Sequence, residues 1–176
     1  MKTTHIIIAL LFATALISCD TDIPDTDTTP PTFRFEISGD GFTRAFTEED
    51  NFEDLQLNLK SNATYDIVFS GGDQGGMRRL QMELPEDYVD FQSDIDSPWQ
   101  TNTSGLTKTI FWNGDADNPI TGFVFTGRFI ASGENIITSF YLRAEDYGGQ
   151  DGPPFNITEG TLNILIADQE TAVINL

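Results

Sequence analysis

Histidine and cysteine are almost absent from this sequence. There is one of each, His5 and Cys19, and nothing from residue 20 to residue 176 carries an imidazole or a thiol. Ser-His-Asp and Cys-His nucleophile systems need an imidazole, so both are excluded for the body of the chain. Zinc sites built on His or Cys are excluded with them, and a disulfide lacks its second sulfur. Positive charge is scarce as well. Nine Lys and Arg face 28 Asp and Glu, a formal net charge of −19. Such a surface repels phosphate backbones and anionic membrane faces alike, which excludes nucleic acid as a partner. An acidic surface also serves solubility. Long apolar runs are missing except for one, at the N-terminus.

That run is Ile6 to Ile17, preceded by Lys2 and followed by Ser18 and Cys19. Twelve helical residues span roughly 18 Å, well short of the ~30 Å hydrocarbon core, so a secretory h-region fits better than a membrane span. Leu16-Ile17-Ser18-Cys19 resembles the bacterial lipobox. The resemblance implies cleavage before Cys19, a diacylglyceryl group on its sulfur and a fatty acyl group on its amine. Loss of residues 1–18 removes Lys2 and His5, leaving eight basic against 28 acidic residues and a formal charge of −20. Two or more acyl chains then anchor the protein durably, because each buried methylene contributes about 0.8 kcal/mol.

Residues 19–31 are expected to carry the lipid and act as a disordered tether. Asp20 to Pro31 holds one large apolar residue, Ile23, among Asp, Thr and Pro. Extended at ~3.1 Å per residue, it reaches roughly 37 Å. Its acidic start resembles the surface-export signals of Bacteroidota lipoproteins, implying an outer-membrane, surface-exposed location. In other Gram-negative bacteria Asp after the lipid cysteine resembles an inner-membrane retention signal. Asp27-Thr28-Thr29 resembles a short O-glycosylation acceptor, or is plain linker.

Residues 32–176 read as one all-β domain, an antiparallel immunoglobulin-like β-sandwich of about eight or nine strands. Apolar residues alternate with polar ones at Phe33, Phe35, Ile37; Leu55, Leu57, Leu59; Tyr65, Ile67, Phe69; and Leu80, Met82, Leu84. The pattern returns at Phe123 to Phe129, Ile136 to Ala144 and Leu162 to Ile166. Period two of this kind buries one face of a strand. Leu106 to Trp112 and Ala172 to Leu176 complete the set, with Lys108 interrupting one face. Gly127 marks either a bulge or a close contact. Ser70 to Gly76 is expected to turn a hairpin, and Ser97 to Ser104 to form a polar loop. Thr47 to Asp50 fits a capping box, but no helical periodicity follows it.

Ala144-Glu-Asp146-Tyr-Gly148 resembles a late-strand motif of cadherin-type and related bacterial immunoglobulin-like domains, in which the aspartate helps bind calcium. Asp115-Ala-Asp117-Asn118-Pro119 is similar to part of the cadherin linker, but it precedes Asp146 rather than following it. Asp115, Asp117, Asp146 and Asp151 are therefore candidate calcium ligands on turns. The same residues also suit tight turns with no ion at all. Trp99 and Tyr147 are candidate glycan contacts, each an aromatic ring in a loop. Trp99 could instead fold back and plug one end of the sandwich. No pair of carboxylates stands out for glycosidase chemistry.

The expectation is a non-enzymatic, lipid-anchored binding or structural module of the bacterial envelope, working through loops at one end of the sandwich on a protein or glycan partner. The alternatives are a carbohydrate-binding accessory protein, resembling the glycan-capture lipoproteins of Bacteroidota, and a calcium-dependent adhesion module.

Overall fold

The computed structural model describes residues 23–92 and 94–176. The expected leader and the lipobox residues Leu16, Ile17, Ser18 and Cys19 lie outside them. Among the described residues the chain forms twelve strands: β1 Thr32–Gly39, β2 Phe42–Thr47, β3 Leu55–Lys60, β4 Thr64–Gly72, β5 Met77–Pro85, β6 Val89–Phe91, β7 Gln100–Ser104, β8 Thr107–Asn113, β9 Gly122–Ala131, β10 Ile136–Asp146, β11 Ile157–Ala167 and β12 Ala172–Asn175. One 3-10 turn, Phe52–Asp54, precedes β3. Among the described residues no helix is long and apolar enough to cross a membrane.

The strands form a sandwich of two sheets. One has the order β2-β1-β4-β9-β6, the other β12-β3-β11-β10-β5-β8-β7. The expected alternation is what builds the core. Phe35 on β1 lies opposite Phe69 on β4, which lies opposite Phe125 on β9, so three rings from three strands share one buried face. Phe140 on β10 meets them from the second sheet, edge-on to Phe35 (centroids 6.2 Å) and to Phe129 (6.2 Å). Edge-to-face pairs of this kind add stabilisation beyond area burial. Tyr65 is also fully buried, and its hydroxyl accepts the Lys60 N–H (2.8 Å) and bonds Thr171 (2.5 Å). Its phenol thereby ties β4 to the opposite sheet with no polar atom left unpaired.

Several expectations are corrected here. There are twelve strands rather than eight or nine, and β3 pairs with β11 in parallel, so the second sheet is mixed. The strands that the periodicity missed are β2, β6 and β7. β7 (Gln100–Ser104) is exposed along its whole length and forms an edge on β8, so the expected Ser97 to Ser104 loop ends in a strand. β6 has three residues, too few to show a period. β2 sits at an edge and buries only Phe46. Residues 70–76 do not turn a hairpin: β4 and β5 belong to different sheets, and the glycine-rich segment crosses between them. Gly127 keeps its register opposite Ile67, and a Cβ there would lie 2.8 Å from the Phe125 ring and 3.0 Å from Phe91. It marks close packing, not a bulge. At Thr47 to Asp50 no helix starts; the Asp50 carboxylate accepts the Thr47 N–H (2.9 Å) in a tight turn.

The tether expectation changes most. From Ile23 onward the segment lies along one end of the sandwich. Asp27 N–H donates to Gly148 O (2.7 Å), Gln150 N–H to Pro24 O (2.9 Å) and Asp151 N–H to Asp25 O (2.8 Å). Composition predicted disorder because the segment buries little apolar surface. Backbone pairing with a loop of the domain supplies what apolar burial does not.

Candidate functional site

Three loops and the N-terminal segment meet at this end of the molecule. The loops are residues 73–76, 114–121 and 147–156. Asp73 N–H donates to Thr121 O (2.9 Å), Met77 N–H to Ile120 O (2.7 Å) and Tyr147 N–H to Gly76 O (2.9 Å), so the loops are stitched together by their backbones. Gly76, Gly148 and Gly149 have φ of +87°, +73° and +96°, the left-handed region that glycine enters without strain.

Asp146 ends β10 and is completely buried. Its carboxylate accepts N–H bonds from Gly148 (2.8 Å) and Asn156 (2.9 Å), and the Asn156 amide at 3.0 Å. Those donors close the 147–156 loop on itself, which is a sufficient reason for an ionisable group to be inside. Just before it, Glu145 is held by both Arg78 and Arg143. The β5–β10 register slips between Glu145 and Asp146, where burial stops alternating.

The loops and the segment enclose a cleft of about 520 Å³, lined by Ile23, Asp117, Pro119, Tyr147, Gly149 and Gln150 among others. Tyr147 is half-buried, edge-on to Phe155 (6.5 Å), and burial pushes its phenol pKa up. Arg78 covers the other aromatic surface, its guanidinium 4.2 Å from the Phe155 centroid. The cleft thus offers one aromatic wall, three apolar side chains (Ile23, Ala116 and Pro119) and two polar ones.

Beside the cleft the carboxylates of Asp27, Asp73 and Asp146 come within 4.8 Å of one another. Burial, then the neighbouring Asp146 and Asp27 charges, push Asp73 up to about 6. Asp27 is held below the usual range by the Thr29 N–H (2.8 Å). The two neighbouring carboxyls are thus pushed in opposite directions, Asp73 up and Asp27 down.

The structure does not gather the four candidate calcium ligands. Asp115 accepts Asp117 N–H (3.0 Å) and the Asn118 amide (3.2 Å), capping its own turn, and these bonds lower its pKa. Asp117 lines the cleft. Asp151 bonds Thr26 (3.3 Å) on the N-terminal segment. Only Asp146 belongs to the three-carboxylate group. Asp27 and Asp73 were missed because one sat in an expected tether and the other in an expected hairpin turn.

Trp99 lies apart from the end cleft. The segment from β6 to β7 carries it across the open side between the two sheets, where it packs edge-on against Phe125 (5.0 Å) and at a tilt to Phe123 (5.5 Å). It packs against the core at the side of the sandwich rather than plugging one end. Its remaining surface lines a groove of about 240 Å³ with Phe91, Asp94 and Asp96. Of the two glycan candidates, Tyr147 stands in the end cleft and Trp99 in this side groove. No family model matches this chain, and no curated protein matches it.

Proposed function

We propose that this chain is a lipid-anchored, non-enzymatic binding module of the bacterial envelope, and that the end cleft takes an amphipathic sugar unit. The observation that carries the reading is the composition of the cleft. The Tyr147 ring can stack on the apolar face of a pyranose, while Asp117 and Gln150 stand ready for its hydroxyls. The acidic surroundings favour a neutral ligand over an anionic one. The lipobox supports the anchor. The non-enzymatic reading rests on the lack of imidazole and thiol after Cys19 and on Asp146 being occupied by backbone and amide donors.

The test is retention of the protein on immobilised glycans. Tyr147→Ala is expected to weaken binding about tenfold or more and to leave thermal stability nearly unchanged, because the ring is only half-buried. Trp99→Ala, by contrast, is expected to lower stability through its lost packing on Phe123 and Phe125. Loss of binding in a folded Trp99→Ala protein, with Tyr147→Ala unaffected, would move the sugar to the side groove. A wild type that retains no glycan would contradict the reading.

A further inference from the structure

We propose that the end of the sandwich carrying the cleft faces the bilayer, and that its ligand is the neutral sugar headgroup of a lipid in that bilayer. The inference deepens the function proposed above and rests on both of its parts, acylation at Cys19 and a sugar in the cleft.

The docked N-terminal segment sets the orientation. Its backbone pairs with the domain through Pro24, Asp25 and Asp27. Gln150 Nε2 donates to Ile23 O (2.6 Å) and Asn156 Nδ2 to Asp27 O (3.0 Å), which adds side-chain clamps. The loops leave room for it. A Cβ on Gly149 would lie 2.7 Å from both the Pro24 and Asp25 carbonyl oxygens, and one on Gly75 would lie 2.8 Å from Asp27 Oδ2. Ile23 is thus held in place and is also a wall of the cleft. Cys19 precedes Ile23 by four positions, and four Cα steps reach at most about 14 Å whatever path the chain takes. An acylated Cys19 would therefore keep the cleft within that distance, whereas a wholly free tether would let the domain drift to roughly 37 Å. The opposite end cannot share the position. β10 runs 11 residues from Ile136 to Asp146 at the cleft, so the turn before it, at Glu134, stands roughly 36 Å away.

The surface of the cleft end suits a neutral membrane interface. Ile120, Phe155 and Ile157 are exposed around the cleft, with Pro153 and Pro154 exposed beside them. Arg78 covers one face of the Phe155 ring. Apolar side chains of this kind gain from contact with the boundary between headgroups and acyl chains. Asp25, Asp115, Asp117 and Asp151 are exposed at the same end. They repel anionic headgroups and so select a neutral one. A sugar on a lipid of the same leaflet also meets the cleft at an effective concentration that a dilute glycan in solution lacks.

The full-length acylated protein in phosphatidylcholine vesicles tests both halves. Acylation would use the only thiol, so a cysteine introduced at an exposed position takes a single fluorophore. A label on Ala116→Cys, in the 114–121 loop, is expected to be quenched several-fold more by headgroup-nitroxide lipids than one on Glu134→Cys. Equal quenching, or stronger quenching at Glu134, would overturn the proposal. Inserting about ten Gly and Ser residues after Thr21 lengthens the leash and should bring the Ala116 signal down to the Glu134 level; a signal that does not move contradicts the proposed cause of the orientation. A free thiol at Cys19 in the intact mass would overturn the orientation together with the anchor. For the ligand, a neutral glycosyl diacylglycerol in the vesicles should raise the melting temperature, and Tyr147→Ala should abolish the rise. The same sugar free in solution at equal bulk concentration should give none. An equal rise with the free sugar would overturn the headgroup assignment, as would no rise with the glycolipid for a protein that immobilised glycans retain. Binding in neither format would remove the ligand half together with the sugar reading, and the label positions alone then decide the orientation.

Discussion

Phe35→Ala is expected to cost about 4 kcal/mol of folding stability, a large loss for a single side chain. Phe35 is completely buried, and its ring centroid lies 6.4 Å from Phe46, 6.1 Å from Phe69 and 6.2 Å from Phe140. Phe46 and Phe69 belong to neighbouring strands of its own sheet, whereas Phe140 faces it from the other. Truncation therefore opens a cavity between the sheets rather than at an edge, where the backbone could close it. Urea unfolding is the measurement. The midpoint should fall with the slope unchanged, and the melting temperature should drop by roughly 8–16 °C for a domain of this size. Val124→Ala provides the contrast. Val124 is 51 % exposed on a strand of the same sheet, and its truncation should change stability by less than about 0.5 kcal/mol.

The second large effect is electrostatic. Glu145→Ala is expected to cost about 3 kcal/mol, because the carboxylate is 4 % exposed and holds two guanidiniums. Arg143 would retain a long contact to Glu159 (3.7 Å) and its hydrogen bond to the Tyr141 hydroxyl (3.5 Å), and Arg78 would keep its place over Phe155 without a counter-charge. Two partly buried cations would then face each other across β5 and β10. Glu145→Gln should fall between wild type and Glu145→Ala, since it keeps hydrogen-bonding capacity but loses the charge. Because the register slip next to Glu145 also positions Asp146, the Ala variant should loosen the 147–156 loop, visible as faster exchange of the Gly148 amide.

Phe33, Phe35 and Ile37 could be read from the sequence because period two is the mark of a strand with one buried face, and that face became the core. Gln100 to Ser104 could not, since an edge strand exposed on both sides has no apolar pattern to announce it. Ser70 to Gly76 misled for a topological reason. Glycine-rich turns look alike whether they join neighbours in one sheet or carry the chain across to another. At the site, Asp146 was singled out from the Ala144 to Gly148 spacing and Tyr147 as a ring in a loop; one ends β10 and the other lines the adjoining cleft. Asp27 was illegible because its partners, Asp73 and Gly148, are distant in sequence, and the composition around it argues for disorder. Asp115 belonged to a plausible ligand pattern, but its nearest donors were in its own turn.

In the proposed reading, removal of the only histidine, consumption of the only thiol and membrane anchoring would all depend on processing at Cys19. The intact mass and N-terminal peptide of the protein extracted from bacterial membranes test that claim most directly. The account predicts a chain that begins at Cys19, with a diacylglyceryl thioether on its sulfur and an acyl amide on its nitrogen. A Cys19 with a free thiol, or a first residue elsewhere in the sequence, would contradict it.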